Sequence, residues 1–76
     1  MQDVVKVLAK VLVDRPDRVR VEEFDEGDAL VVELEVAPDD LGRVIGRHGR
    51  TADALRTIVE VIGKHRKETW ELEILD

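Results

Sequence analysis

Apolar residues return at two rhythms along the chain. Val4, Val5, Val7, Leu8, Val11 and Leu12 recur every three or four positions, the period of a helix with one buried face. Asp3 stands where an N-cap belongs, and Pro16 stops the segment near Val13. From Val19 to Phe24 the period shortens to two: Val19 and Val21 alternate with Arg20 and Glu22. Asp25-Glu26-Gly27-Asp28 supplies turn residues, and a second alternating run follows. It places Leu30, Val32, Leu34 and Val36 on one face and Glu33 and Glu35 on the other, which predicts two antiparallel strands in a hairpin.

Ala37-Pro38 closes that run, Asp39 or Asp40 can cap a short helix, and Leu41, Val44 and Ile45 form its apolar stripe until Gly46 ends it. After Gly49, either Thr51 or Asp53 can cap a longer helix with the stripe Leu55, Ile58, Val59 and Ile62, running to about Lys67. Trp70, Leu72 and Ile74 then alternate with Glu71 and Glu73 as a closing strand. The expected fold class is α+β in the order αββααβ, with three helices packed on one face of a three-stranded mixed sheet. Glu33, Glu35, Glu71 and Glu73 would share the opposite face. A chain of 76 residues has material for one core, so residues 1–76 are expected to form one domain.

Charge sharpens this picture. The net charge is −6, but it is segregated: residues 41–67 hold seven Lys or Arg against two acids, a net of +5, while the remainder holds five basic and sixteen acidic residues, a net of −11. Cysteine is absent, which removes disulfides, thiolate metal sites and thiol nucleophiles. The first twelve residues alternate charge with apolar side chains, unlike the apolar region of a signal peptide, and no run approaches transmembrane length. A cytoplasmic protein without membrane insertion is expected.

The positive segment contains VIGRHGRT, Val44 to Thr51, with two glycines three apart. A four-residue turn between helices needs glycine where φ is positive or another backbone comes close, and spacing alone permits a purely structural turn. The flanking residues add more. The loop precedes the N-terminus of the longer helix, where N–H groups and the helix dipole favour an anion. Arg43, Arg47, His48 and Arg50 can reach an anion there, and no acid lies between Leu41 and Ala52. A phosphate-bearing ligand accounts for both the glycines and the cleared charge field.

Other residues have plainer readings. Arg56 is open to pairing with Glu60 at i+4 or to a phosphate. Trp70 alternates inward with Leu72 and Ile74 and reads as core. Lys64, His65, Arg66 and Lys67 form a basic helix end that complements the dipole. Asp25, Glu26 and Asp28 lack the remaining ligands of a calcium loop, and the adjacent Asp39 and Asp40 fit capping better than acid–base chemistry. No nucleophile, base and orienting group can be assembled, so the expectation is a non-enzyme with no metal and no cofactor.

The VIG-x-x-GRT core within an αββααβ order resembles the KH domain of type II topology. With LVDRP upstream, VAPDDLGRVIGRHGRT and the closing ELEILD, the whole chain is similar to the KhpA family of small bacterial single-KH RNA-binding proteins. The resemblance implies that the loop Gly46, Arg47, His48 and Gly49 clamps the backbone of single-stranded RNA, as G-x-x-G loops do. It implies that Ile45 and Val44 line the groove under the bases, with Arg43, Arg50 and Thr51 flanking the clamp. His48 stands where an uncharged polar residue is expected, which makes the loop's charge depend on pH. With Phe24 the only aromatic besides Trp70, weak and tolerant sequence recognition should follow. The implied partners are RNA, a second copy in a homodimer, or a larger KhpB/Jag-type protein; an RNA chaperone or post-transcriptional regulator is the corresponding role. Two other readings compete: a protein-interaction adaptor that uses the acidic surface, and a helix-turn-helix-like binder of duplex DNA.

Overall fold

The structure is a computed structural model that describes all residues, 1–76. Its order is α1 (Gln2–Leu12), β1 (Arg20–Asp25), β2 (Leu30–Glu35), α2 (Leu41–Ile45), α3 (Arg50–His65) and β3 (Trp70–Ile74). Single 3-10 turns, Pro16–Arg18, Pro38–Asp40 and Arg47–Gly49, lead into β1, α2 and α3.

Alternation fixes the sheet. β2 is central, antiparallel to β1 and parallel to β3, so the parallel step is made by the passage through α2 and α3. In register, Val21 faces Leu34 on β1–β2, while Val32 faces Leu72 and Leu34 faces Ile74 on β2–β3. These residues point into one core with Val5 and Ala9 of α1, Val44 of α2, and Leu55 and Val59 of α3. Leu34 and Val32 are wholly buried, and burying a side chain of that size is worth about 1.5–3 kcal/mol. The expected α+β architecture of three helices on a three-stranded mixed sheet is the one observed.

The other face of the sheet carries a row of like charges. Glu22 sits opposite Glu33, and Glu33 opposite Glu73. Val31 also belongs to this face yet is only 5% exposed, opposite Phe24 on β1.

Several local expectations change. α1 begins at Gln2 without a side-chain cap of its own, and its Gln2 N–H donates to Glu23 Oε2 on β1 at 2.8 Å, so a strand performs the task expected of Asp3. Only part of the apolar stripe of α1 faces inward: Val5 and Ala9 are buried, whereas Val7 and Val11 are 62% and 79% exposed. On α3 the inner face is Ala52, Leu55, Val59 and Gly63, and Ile58 lies at the surface. Gly63 belongs there because Trp70 packs against it; a Cβ at that position would stand 2.9 Å from Trp70 Cδ1. Trp70 is core, as its alternation implied, and its indole N–H donates to Glu68 Oε1 at 3.0 Å.

α3 stops at His65, two residues short of the expected end. Lys67 turns to a φ of +58°, the Lys67 N–H donates to the Lys64 carbonyl and the Glu68 N–H to the Gly63 carbonyl. That is the Schellman arrangement, with lysine where glycine is usual.

Candidate functional site

Three of the four residues of the glycine loop take positive φ. φ is +76° at Gly46, +57° at His48 and +74° at Gly49. Gly46 has two reasons to be glycine, because its φ disfavours a side chain and a Cβ would collide with the Thr51 side chain, 2.7 Å from Thr51 Cβ. Gly49 has one reason, since nothing lies within 4 Å of a Cβ placed there. His48 adopts the same region without being glycine, a conformation that histidine tolerates better than most residues.

The loop leads into α3 at Arg50, with Gly49 as N-cap and no side-chain cap bond. This replaces the expected cap from Thr51 or Asp53. Thr51 instead packs on Gly46, and Asp53 pairs with Arg56 at 3.5 Å, whereas sequence spacing leaves Arg56 open to Glu60 or to a phosphate. The start of the longest helix therefore keeps its backbone donors free of any side-chain cap, and the one acid in its first turn, Asp53, is paired with Arg56.

Arg47, His48 and Arg50 are exposed around this point, and none makes an ion pair. Arg43 differs. Its Nη2 lies 3.0 Å from Asp14 Oδ2 and its Nη1 3.3 Å from Asp40 Oδ1, so its charge is already matched within the protein. Ile45 is 37% exposed at the end of α2, beside the loop. Val44, expected with Ile45 beneath bases, is wholly buried and belongs to the core; successive helical residues differ in direction by about 100°, so the roll of α2 gives one of the pair to the interior. The loop thus gathers three unpaired basic side chains, an uncapped helix start and one exposed isoleucine.

Asp40 is the element that sequence reading underestimated. It occupies the N-cap position of α2 but makes no side-chain capping bond to the backbone N–H groups of that helix. Its carboxylate turns to the connection after α1, where Oδ1 accepts the Asp14 N–H and Oδ2 the Arg15 N–H, each at 3.1 Å. The Asp14 N–H is the strongest influence holding this carboxyl below its ordinary value; the Arg15 N–H and the charges of Arg43 and Arg15 act in the same direction, against burial, which acts upward. The only sequence signal was PDD directly before the short helix.

No group of three or more His, Cys, Asp or Glu side chains is arranged to hold a metal ion. No helix is long and apolar enough to cross a membrane.

Comparison with known proteins identifies relatives of the chain. Residues 2–74 match the family model described as KhpA/KhpB, KH domain. The chain is 49% identical over 76 residues to the RNA-binding protein KhpA of Halalkalibacterium halodurans, covering all of both chains. It is 47% identical over 76 residues to the RNA-binding protein KhpA of Aquifex aeolicus, covering all of this chain and 96% of that one. With the protein of the same name from Mycobacterium tuberculosis it shares 54% identity over 61 residues, 80% of this chain and 76% of the relative. No solved structure gives a significant match.

Proposed function

The chain belongs to the KhpA/KhpB KH-domain family, and from that premise we propose that it binds single-stranded RNA through the loop Gly46–Gly49. The observation that carries this reading is the conjunction at α3: positive-φ backbone, an uncapped helix start, and Arg47, His48 and Arg50 without internal partners. Phosphates lie against the glycines, where no side chain holds them off, and the arginines supply charge. Ile45, exposed beside the loop, supports a base. Thr51 acts on the RNA through Gly46, whose position it bounds.

Three unpaired basic side chains make a small footprint. A log–log salt slope of about −0.7 per phosphate contact applies, giving roughly −2 for three such contacts. One such domain binds weakly, and two loops on one RNA multiply the affinity through effective concentration. Pairing with a second copy or with a KhpB/Jag-type protein would provide the second loop. Val11 on α1 and Val61 on α3, 79% and 49% exposed, are among the apolar surfaces open for such pairing. The role is that of a non-enzymatic RNA chaperone or post-transcriptional regulator in the cytoplasm, with residues 1–76 acting as one KH unit.

Titration of labelled single-stranded RNA at two salt concentrations tests the reading, with wild type set against Arg47→Asp/His48→Asp. Salt-sensitive binding that disappears in the folded variant is expected. Equal binding by both proteins, or tighter binding of the matched duplex than of its single strands, would overturn it.

A further inference from the structure

Asp40 is 1% exposed, the one charged side chain in the interior. Its two oxygens receive three donors: Asp14 N–H and Arg43 Nη1 on Oδ1, Arg15 N–H on Oδ2. Arg43 then returns to the Asp14 carboxylate at 3.0 Å, which closes a ring through Asp14, Asp40 and Arg43. One side of the ring is the connection after α1; the other is α2, whose last residue is followed directly by the glycine loop.

A five-residue helix has no stability of its own, because isolated helices below about 12–15 residues are marginal in water. α2 must be held by what it touches. Val44 anchors it in the core, but an apolar contact is non-directional and tolerates rotation about the anchor. Hydrogen bonds to a buried carboxylate do not. Apolar replacements of buried ion pairs are often as stable or more so, so a retained carboxylate is better explained by the direction it imposes than by the stability it adds. Every buried side-chain polar atom is satisfied, this carboxylate included.

We infer that Asp40 is a positioning residue for the RNA-binding loop: by gripping the Asp14 and Arg15 amides together with Arg43, it sets the angle at which α2 presents Gly46–Gly49. The inference rests on the RNA-binding reading above. It also gives Arg43 a different task from Arg47 and Arg50. Arg43 belongs to the clamp under the loop, and the other two to the ligand.

The test uses Asp40→Asn, which keeps the shape but turns one acceptor into a donor facing a donor, and Arg43→Gln, at a half-exposed site where folding survives. Val21→Ala, a core truncation in β1, serves as a variant that loses stability without touching the ring. Circular dichroism establishes which variants are folded. Amide chemical shifts and hydrogen exchange of residues 46–50 are then measured without RNA, followed by titration with a labelled mixed-sequence RNA octamer.

Both ring variants should move the loop amide signals and speed their exchange, with RNA affinity lowered about tenfold, or 1.4 kcal/mol, in Asp40→Asn. Val21→Ala should leave the loop signals in place and the affinity within about twofold, well under 1.4 kcal/mol. Unmoved loop signals in folded Asp40→Asn would overturn the inference, as would equal movement in Val21→Ala, or displaced signals with unchanged RNA affinity. Should Asp40→Asn not fold, Arg43→Gln decides: RNA affinity lost with unmoved loop signals would put Arg43 on the RNA itself and refute the clamp. The loop signals need no ligand, so a wild-type protein that binds no RNA would refute the RNA reading separately.

Discussion

Thr51 closes the space above Gly46. Its Cβ and backbone nitrogen stand 2.7 and 2.9 Å from where a Cβ on Gly46 would lie, at a residue whose φ is +76°. Gly49, three positions on, has nothing within 4 Å of a Cβ placed there.

The two loop glycines should therefore respond unequally to alanine. Gly49→Ala carries only the left-handed penalty of about 1–2 kcal/mol. Gly46→Ala adds a steric conflict and should cost more, as read by urea denaturation. Thr51→Ala should not rescue it, because the Cβ and nitrogen of residue 51 remain. Equal losses for the two glycines would show that the loop yields at Gly46.

Gly42 offers the opposite case. It lies inside α2 with ordinary φ, and nothing lies within 4 Å of an added Cβ. The fold gives no reason for glycine, and alanine should stabilise the protein by about 1 kcal/mol. Gly42 and the exposed Ile45 lie on neighbouring directions of the helix, about 60° apart at 100° per residue. A methyl group there meets RNA lying over Ile45, so Gly42→Ala should melt higher and bind RNA more weakly. Calorimetry and RNA titration on one preparation measure both.

Lys67 holds the left-handed position after α3. Glycine there should relieve about 1 kcal/mol of backbone strain. For a chain of this size that corresponds to a melting temperature higher by roughly 4–8 °C. The site is at the far end of α3 from the loop, so RNA affinity should stay unchanged.

Acid should act through Asp40. Its folded carboxyl titrates below the ordinary value of 3.8, chiefly because of the Asp14 N–H. Its contribution is thus fully present above the unfolded value and is lost as pH falls through the lower folded one. Stability measured from pH 6 down to 2 should decline on the acid side, and Asp40→Asn should flatten part of that decline. An unchanged acid limb in the variant would remove Asp40 from the cause.

Much of this molecule could be read from residue order. The alternation of Val21, Val32, Leu34 and Leu72 placed the core face of the sheet, and Gly46 and Gly49 marked the loop. What could not be read depends on contacts distant in sequence or on the roll of a helix. Asp40 bonds to amides 25 and 26 residues away, while its local context fits a helix cap. Val44 and Ile45 are adjacent and alike in chemistry, and only the packing of α2 sends one inward. Arg43 looks like Arg47 in the sequence and is distinguished by Asp14, a residue in the connection after α1.

The row Glu22–Glu33–Glu73 on the outer sheet face opposes like charges across three strands, an arrangement that costs stability. Set against the basic loop on the helical side, it makes the protein a permanent electric dipole. A polyanion approaching from any direction exerts a torque that swings the sheet away and brings the loop forward, so orientation is selected before contact. That selection fades once the Debye length falls below about 10 Å, near 0.1 M salt. Added salt should then slow association more than it hastens release, and the acidic face would shape how fast RNA is captured without ever touching it.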